Sequence, residues 1–161
     1  MAFRKIYQSM EIKVSSTEME TSESQRQYVG FWVRFGASII DTILVIMITY
    51  PLLYSIYGNE FWETDQFIMG LPDFLISWVF PIAATVLFWV YKSATPGKMA
   101  LKAKVVDAKT GNAPSTQQSI IRYVGYYISL LPLGLGFIWV AFDAKKQGWH
   151  DKIAGTVVVR R

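Results

Sequence analysis

The chain has no cysteine and a single histidine among its 161 residues. The first absence excludes disulfides, thiolate nucleophiles and Cys-based metal sites. The second excludes a histidine-cluster metal centre. Charge is also scarce: 17% of residues are Asp, Glu, Lys or Arg, against roughly 25% in an average soluble domain. Hydrophobic residues make up 52%, aromatics 16%, and the mean hydropathy is +0.27. A small soluble domain with this apolar load would lack the polar surface to stay in solution. The clustering of its apolar residues argues for a membrane protein. On such a protein a net charge of +4 is a topology signal. A nucleic-acid surface needs clustered basic residues with exposed aromatics; here the aromatics fall at the ends of apolar runs, so no nucleic-acid partner is expected.

Residues 1–27 read as a flexible tail, because Ser15 to Ser24 has no apolar period. Met10, Ile12 and Val14 alternate with polar residues and suggest a short strand. The first apolar run extends from Phe31 to Tyr57, with Arg34 and Asp41 as its only charges. It is long enough for a crossing, which needs about 20 apolar residues, and Pro51 bends or ends it. An acidic loop from Gly58 to Asp73 carries no Lys or Arg. A second run spans Phe74 to Tyr91, with Pro81 inside. Residues 92–122 are basic. Lys98 to Val106 reads as a strand, residues 107–112 as a turn, and Gly155 to Val159 as the partner strand. The third run, Tyr123 to Phe142, is interrupted by Pro132-Leu133-Gly134-Leu135-Gly136.

Basic segments mark the cytoplasmic side. The acidic loop therefore faces out, and the N-terminal tail and residues 92–122 face in. The C-terminal tail, with Lys145, Lys146, Lys152, Arg160 and Arg161, also belongs inside. Three full crossings would put it outside. Two readings remain: a third helix that crosses with a kink, or a re-entrant hairpin turning at Pro132 to Gly136. Residues 115–142 are short for two full crossings of a ~30 Å core but sufficient for two half-depth arms. The expected fold is a small polytopic helical membrane protein with three to four membrane segments and a short cytoplasmic β-ribbon.

Asp41 is the most informative residue. A helix starting near Gly30 places it about 15 Å along the axis, near mid-bilayer, where an aspartate costs about 2.5–3.5 kcal/mol. It reads either as a proton or cation site, or as a carboxyl that locks helices together by hydrogen bonds. Arg34 lies two turns earlier, about 10 Å away on the same face. Its side chain leans away from Asp41 toward the interface, where a phosphate or an acid from the C-terminal segment would meet it. Asp143, His150 and Asp151 cluster after the third run, and His150-Asp151 is a proton relay by residue type. Thr95-Pro96-Gly97-Lys98-Met99 is not a phosphate-binding loop, because it lacks the first glycine and has Met after the lysine. An aspartyl protease would need Asp41 and Asp143 face to face in the bilayer, and Asp143 sits at a helix end in a polar stretch. No nucleophile–base–orienter set can be assembled, so an enzyme is not expected, nor is a cofactor or metal.

Four landmarks together resemble the RDD family of bacterial membrane proteins, named for one arginine and two aspartates. They are Gly30-Phe31-Trp32-Val33-Arg34-Phe35-Gly36-Ala37-Ser38-Ile39-Ile40-Asp41, then Thr95 to Asp107, then Ile121-Arg122. The last is Phe142-Asp143 followed by Gly148-Trp149-His150-Asp151-Lys152-Ile153-Ala154-Gly155 and the valines after it. The resemblance covers residues 28–160. It departs at Trp149, where leucine is common, and in the short first loop. It implies a multi-pass protein of the bacterial cell membrane with a cytoplasmic N-terminus. Arg34 matches the family arginine and Asp41 the first aspartate. Asp151 matches the second, with Asp143 as the competing choice. The family has been linked to transport of unknown ligands and, for some members, to monovalent cation/proton antiport. This gives a first expectation: an oligomeric transporter that exchanges H+ for Na+, K+ or Li+, or moves a small solute, with Asp41 as the protonatable site. Arg34 and Asp151 would be further transport or ion-binding candidates, with Arg122, Asp143 and His150 as a supporting charge network. The second is an accessory subunit without transport activity that binds another membrane protein, such as a protease or stress-response complex.

Overall fold

The computed structural model describes residues 26–161, together with Arg4 and Met10. The expected flexible tail and the strand at Met10 to Val14 therefore lie outside the described residues, apart from these two positions and the tail's last two residues. Arg26 and Gln27 already join the ordered fold. Arg26 Nη1 donates to the Ala108 carbonyl at 2.7 Å, and Gln27 accepts from the Arg160 N–H at 2.9 Å.

Among the described residues two helices are long and apolar enough to cross a bilayer. Helix α1 spans Phe31–Tyr57 and α3 spans Leu71–Lys92. A short α2, Glu60–Glu63, lies between them in the acidic loop. Helix α1 stays helical through Pro51 and ends at Gly58. The φ of +59° there is one that glycine adopts without a Cβ penalty. The first turn of α3 is held by Asp73, whose carboxylate accepts from the Met69 N–H at 3.0 Å and the Ser77 hydroxyl at 2.6 Å. Just before Pro81 the helix widens into a π-helical stretch, Phe74–Val79. Widening relieves the clash of the proline ring with the carbonyl four residues back. Ile43, Ile46, Met47, Leu75 and Leu87 stand exposed along the two spans. An apolar surface of this extent is stable when lipid covers it.

After α3 the chain turns at Ser93 and enters helix α4, Pro96–Ala100. Strand β1 follows at Ala103–Asp107 and pairs antiparallel with β2, Thr156–Arg160, with Val105 opposite Val158. The expected strand from Lys98 is thus corrected: its first half is helix, and Lys102 at φ +53° makes the turn between them. On the partner strand Gly155, at φ +63°, terminates the preceding helix and the strand begins at Thr156. A two-stranded ribbon is marginal alone. Here Tyr28 bridges to Val159 along its edge. Val105 and Val158 pack with Val29, Ala103 and Trp89 in one buried cluster.

Helix α5, Thr116–Leu130, opens with a reciprocal cap between Ser115 and Gln118. The chain turns after Leu130 into α6, Leu135–Ile138, and a 3-10 turn, Trp139–Ala141. The two arms meet at 114°. Close packing sets that return: a Cβ on Gly136 would lie 2.5 Å from the Ser129 Cα. Both ends of the bent segment reach the same ribbon. Gln118 Nε2 donates to Asp107 Oδ2 at 2.5 Å, and Gln147 Nε2 donates to the Thr156 carbonyl at 2.8 Å. The ribbon is also tied to the start of α1, through Val29, and to the end of α3, through Ser93. The third run thus leaves and returns on one side of the two long helices. A straight crossing with a slight kink is replaced by a sharply bent hairpin. The basic C-terminal strand and the basic segment after α3 share that side.

Candidate functional site

The last helix, α7, spans Trp149–Ala154 and lies against α5. Three small residues on one face of α5 let it approach: Ser119, Gly125 and Ser129 are buried. A Cβ on Gly125 would stand 2.9 Å from the His150 Cα. This packing inserts Asp151, with no exposed surface, between α1 and α5.

Asp151 gathers two guanidinium groups. Its Oδ2 accepts from Arg34 Nη1 at 2.5 Å and from the Gly148 N–H at 3.0 Å. Its Oδ1 lies 2.8 Å from Arg122 Nη2, yet Oδ1 lacks an aligned hydrogen bond. The short distance and the missing bond describe one contact: a charge pair whose N–H directions miss the oxygen. Burial alone would raise the Asp151 carboxyl; Arg122 and Arg34 outweigh it and hold it below the ordinary carboxylate range. Arg34 is fully used, donating also to the Val29 carbonyl at 2.9 Å and to the Lys146 carbonyl. Arg122, 1% exposed, is not. Its Nε and Nη1 lack partners among the described residues.

A second cluster sits on α1 and α4. Asp41 Oδ2 accepts from the Thr95 hydroxyl at 2.6 Å, and Oδ1 from the Gly97 N–H at 2.6 Å. Buried Lys98 donates to the same Thr95 Oγ1 across a long 3.4 Å contact. The Trp89 ring separates the clusters, with Arg122 4.9 Å and Lys98 5.9 Å from its centroid. Two cations over one buried ring gain from its quadrupole.

The structure therefore brings Arg34, Arg122, His150 and Asp151 together and places Asp41 in a neighbouring cluster. Asp143 stands apart. It pairs with Lys152, which is 46% exposed, and accepts from the Lys145 and Gln147 N–H groups. Arg34 meets an acid of the C-terminal segment, Asp151. Sequence reasoning did not single out Lys98, Thr95 or Ser129 as site residues. A signal for Lys98 was present: Pro96-Gly97 ahead of it is poor strand sequence and good helix-start sequence.

His150 is the sole histidine and sits beneath Tyr126 and Phe137. Its Nδ1 is 3.2 Å from Ser129 Oγ, and its Nε2 is 3.6 Å from Asp151 Oδ1. Burial, reinforced by Arg122, Arg34 and Lys98 and opposed by Asp151, lowers it to about 3. It is therefore neutral at pH 7. Between about pH 6.5 and 3 the unfolded chain binds the proton that the folded chain refuses, so stability falls as pH falls, by up to about 1.4 kcal/mol per unit. Asp151 adds a loss only below its ordinary range near 3.8. Thermal unfolding in detergent between pH 7 and 4.5 should show the slope, and His150→Gln should flatten it. An equal slope in the variant rejects His150 as its source.

Two long apolar helices, a bent hairpin and a buried Arg–Asp–Arg cluster define a small multi-pass helical membrane protein. The sequence matches the RDD family over residues 28–155, and the chain belongs to that family. It is similar to YxaI of Bacillus subtilis (strain 168), described as uncharacterized, at 34% identity over 146 residues, covering 81% of this chain and 95% of that one. It is similar to YteJ of the same strain, described as an uncharacterized membrane protein, at 29% identity over 155 residues, covering 95% and 93%. An uncharacterized protein of Rickettsia prowazekii (strain Madrid E) is 32% identical over 136 residues, covering 80% and 76%. No solved structure matches.

Proposed function

We propose that this protein is a small oligomeric transporter of the bacterial cell membrane that exchanges protons for monovalent cations at Asp41. The observation that carries the reading is the setting of that carboxylate. It lies on a membrane-length helix and lines a cavity of about 310 Å³ together with Ser38, Thr42, Thr85, Thr95 and Lys98. Hydroxyl oxygens beside a carboxylate suit a weakly held monovalent cation, and an ionisable group on a membrane-length helix is by default a candidate functional site. Thr95 joins Asp41 to Lys98, so an internal ammonium stands near to balance the carboxylate when no cation is bound. The charge rule supports a cytoplasmic location for the side that the basic segments share, and with it a cytoplasmic N-terminus.

Asp41→Asn isolates the charge. The amide keeps an acceptor for one donor, and the Thr95 hydroxyl can turn to accept from the new NH2 group, so the α1–α4 contact persists. Native protein in proteoliposomes should move protons against Na+, K+ or Li+ gradients. The variant should lose at least about tenfold of that flux at an unchanged detergent elution profile. Retained flux rejects Asp41 as the site. A folded native chain that moves none of these ions favours the accessory, partner-binding role.

A further inference from the structure

A second cavity, of about 370 Å³, also has Lys98 in its lining. Arg34, Lys98 and Arg122 give the lining its cations, and Phe35, Phe137 and Tyr126 give it apolar surface. Among the described residues no carboxylate lines it. Asp151 lies behind the two arginines and satisfies Arg34, but it leaves Arg122 with two nitrogens, Nε and Nη1, that have no partner among the described residues. A buried guanidinium is costly unless its donors are used. The neighbourhood also carries a charge surplus: three cations, Arg34, Lys98 and Arg122, face two carboxylates, Asp41 and Asp151. A phosphate group supplies what is missing. It brings negative charge and several acceptor oxygens, and it matches the planar guanidinium fork. Basic pockets between membrane helices on the cytoplasmic side are suited to phosphate headgroups. The aromatic wall suits the chains attached to such a head.

The geometry points to a binding site for a phosphate-bearing anion in this cavity, held by Arg122 and Lys98 with its apolar portion against Phe35 and Phe137. The site stands apart from the cation reading of Asp41, since it needs no transport and Asp41 does not line its cavity.

The test is a titration of the purified, delipidated full chain in detergent, read by native mass spectrometry. The probes are phosphatidylglycerol, diacylglycerol with the same tails but no phosphate, and inorganic phosphate. Phosphatidylglycerol should bind saturably and diacylglycerol should not. Lys98→Met should weaken phosphatidylglycerol at least tenfold. Among the described residues that side chain makes no ion pair, only the long contact to Thr95 and the approach to the Trp89 ring, so the variant reports on the cavity even if Arg122→Gln fails to fold. Inorganic phosphate binding as tightly as the lipid would support the same site with a soluble source. The proposal is overturned if neither phosphate probe binds saturably, if diacylglycerol binds as tightly as phosphatidylglycerol, or if Lys98→Met binds like the native chain. Since binding is read without flux, an inactive transporter that still binds phosphatidylglycerol leaves this site standing.

Discussion

Asp151→Asn should destabilise the protein by about 3–5 kcal/mol, the range for removing one partner of a buried ion pair. Asp151 has no exposed surface, and Arg34 and Arg122 lie at 2.5 and 2.8 Å from its oxygens. Neutralising it leaves two buried guanidinium groups without their counter-charge. The measurement is the thermal midpoint in detergent, followed by the yield of monodisperse protein. The two arginines should respond differently in combination. Arg34 keeps the Val29 and Lys146 carbonyls, whereas among the described residues Arg122 keeps only the face of Trp89. Adding Arg122→Met to Asp151→Asn should therefore recover part of the loss. Asp143→Asn is the contrast. Its partner Lys152 is half-exposed, and such pairs contribute at most about 1 kcal/mol. Equal losses from Asp143→Asn and Asp151→Asn would reject the buried cluster as the centre of stability.

Gly97→Ala should be nearly as damaging, although it adds a single carbon. That carbon would collide with the Ala37 carbonyl oxygen and lie 2.9 Å from the Ala37 carbonyl carbon and the Asp41 Cγ. The obstacle is helix backbone, which cannot rotate aside. Overpacking of this kind costs about 1–3 kcal/mol. Moving α4 off α1 would also break the Gly97 N–H and Thr95 hydroxyl bonds to Asp41, worth about 1.5–3 kcal/mol each for a charged acceptor. Ion flux assigned to Asp41 should fall with it. Gly36→Ala on α1 is the control. There the new carbon meets only the Leu101 Cδ1 at 3.3 Å, a side-chain end that can shift. A Gly97→Ala protein with the thermal midpoint and flux of Gly36→Ala would contradict the close approach of α4.

The membrane helices, the ribbon and the turn between its flanking segments were legible along the chain, because each is written in consecutive residues. An apolar run of bilayer length announces itself, and consecutive valines after a glycine announce a strand. Asp41 was legible as a charge that such a run does not tolerate without a reason, and Arg34 as a cation that points away from it. Three things were settled only in three dimensions. Small α5 residues and Gly136 set how closely α7 and the return arm approach, and so fold the third run back at 114°. The docking of α7 decides that Asp151, and not Asp143, meets Arg34. The wedge of α4 turns Lys98 inward between two cavities. Local elements follow from the periodicity of neighbouring side chains. Which charges share a buried site follows from packing between segments more than a hundred residues apart, which no local pattern encodes.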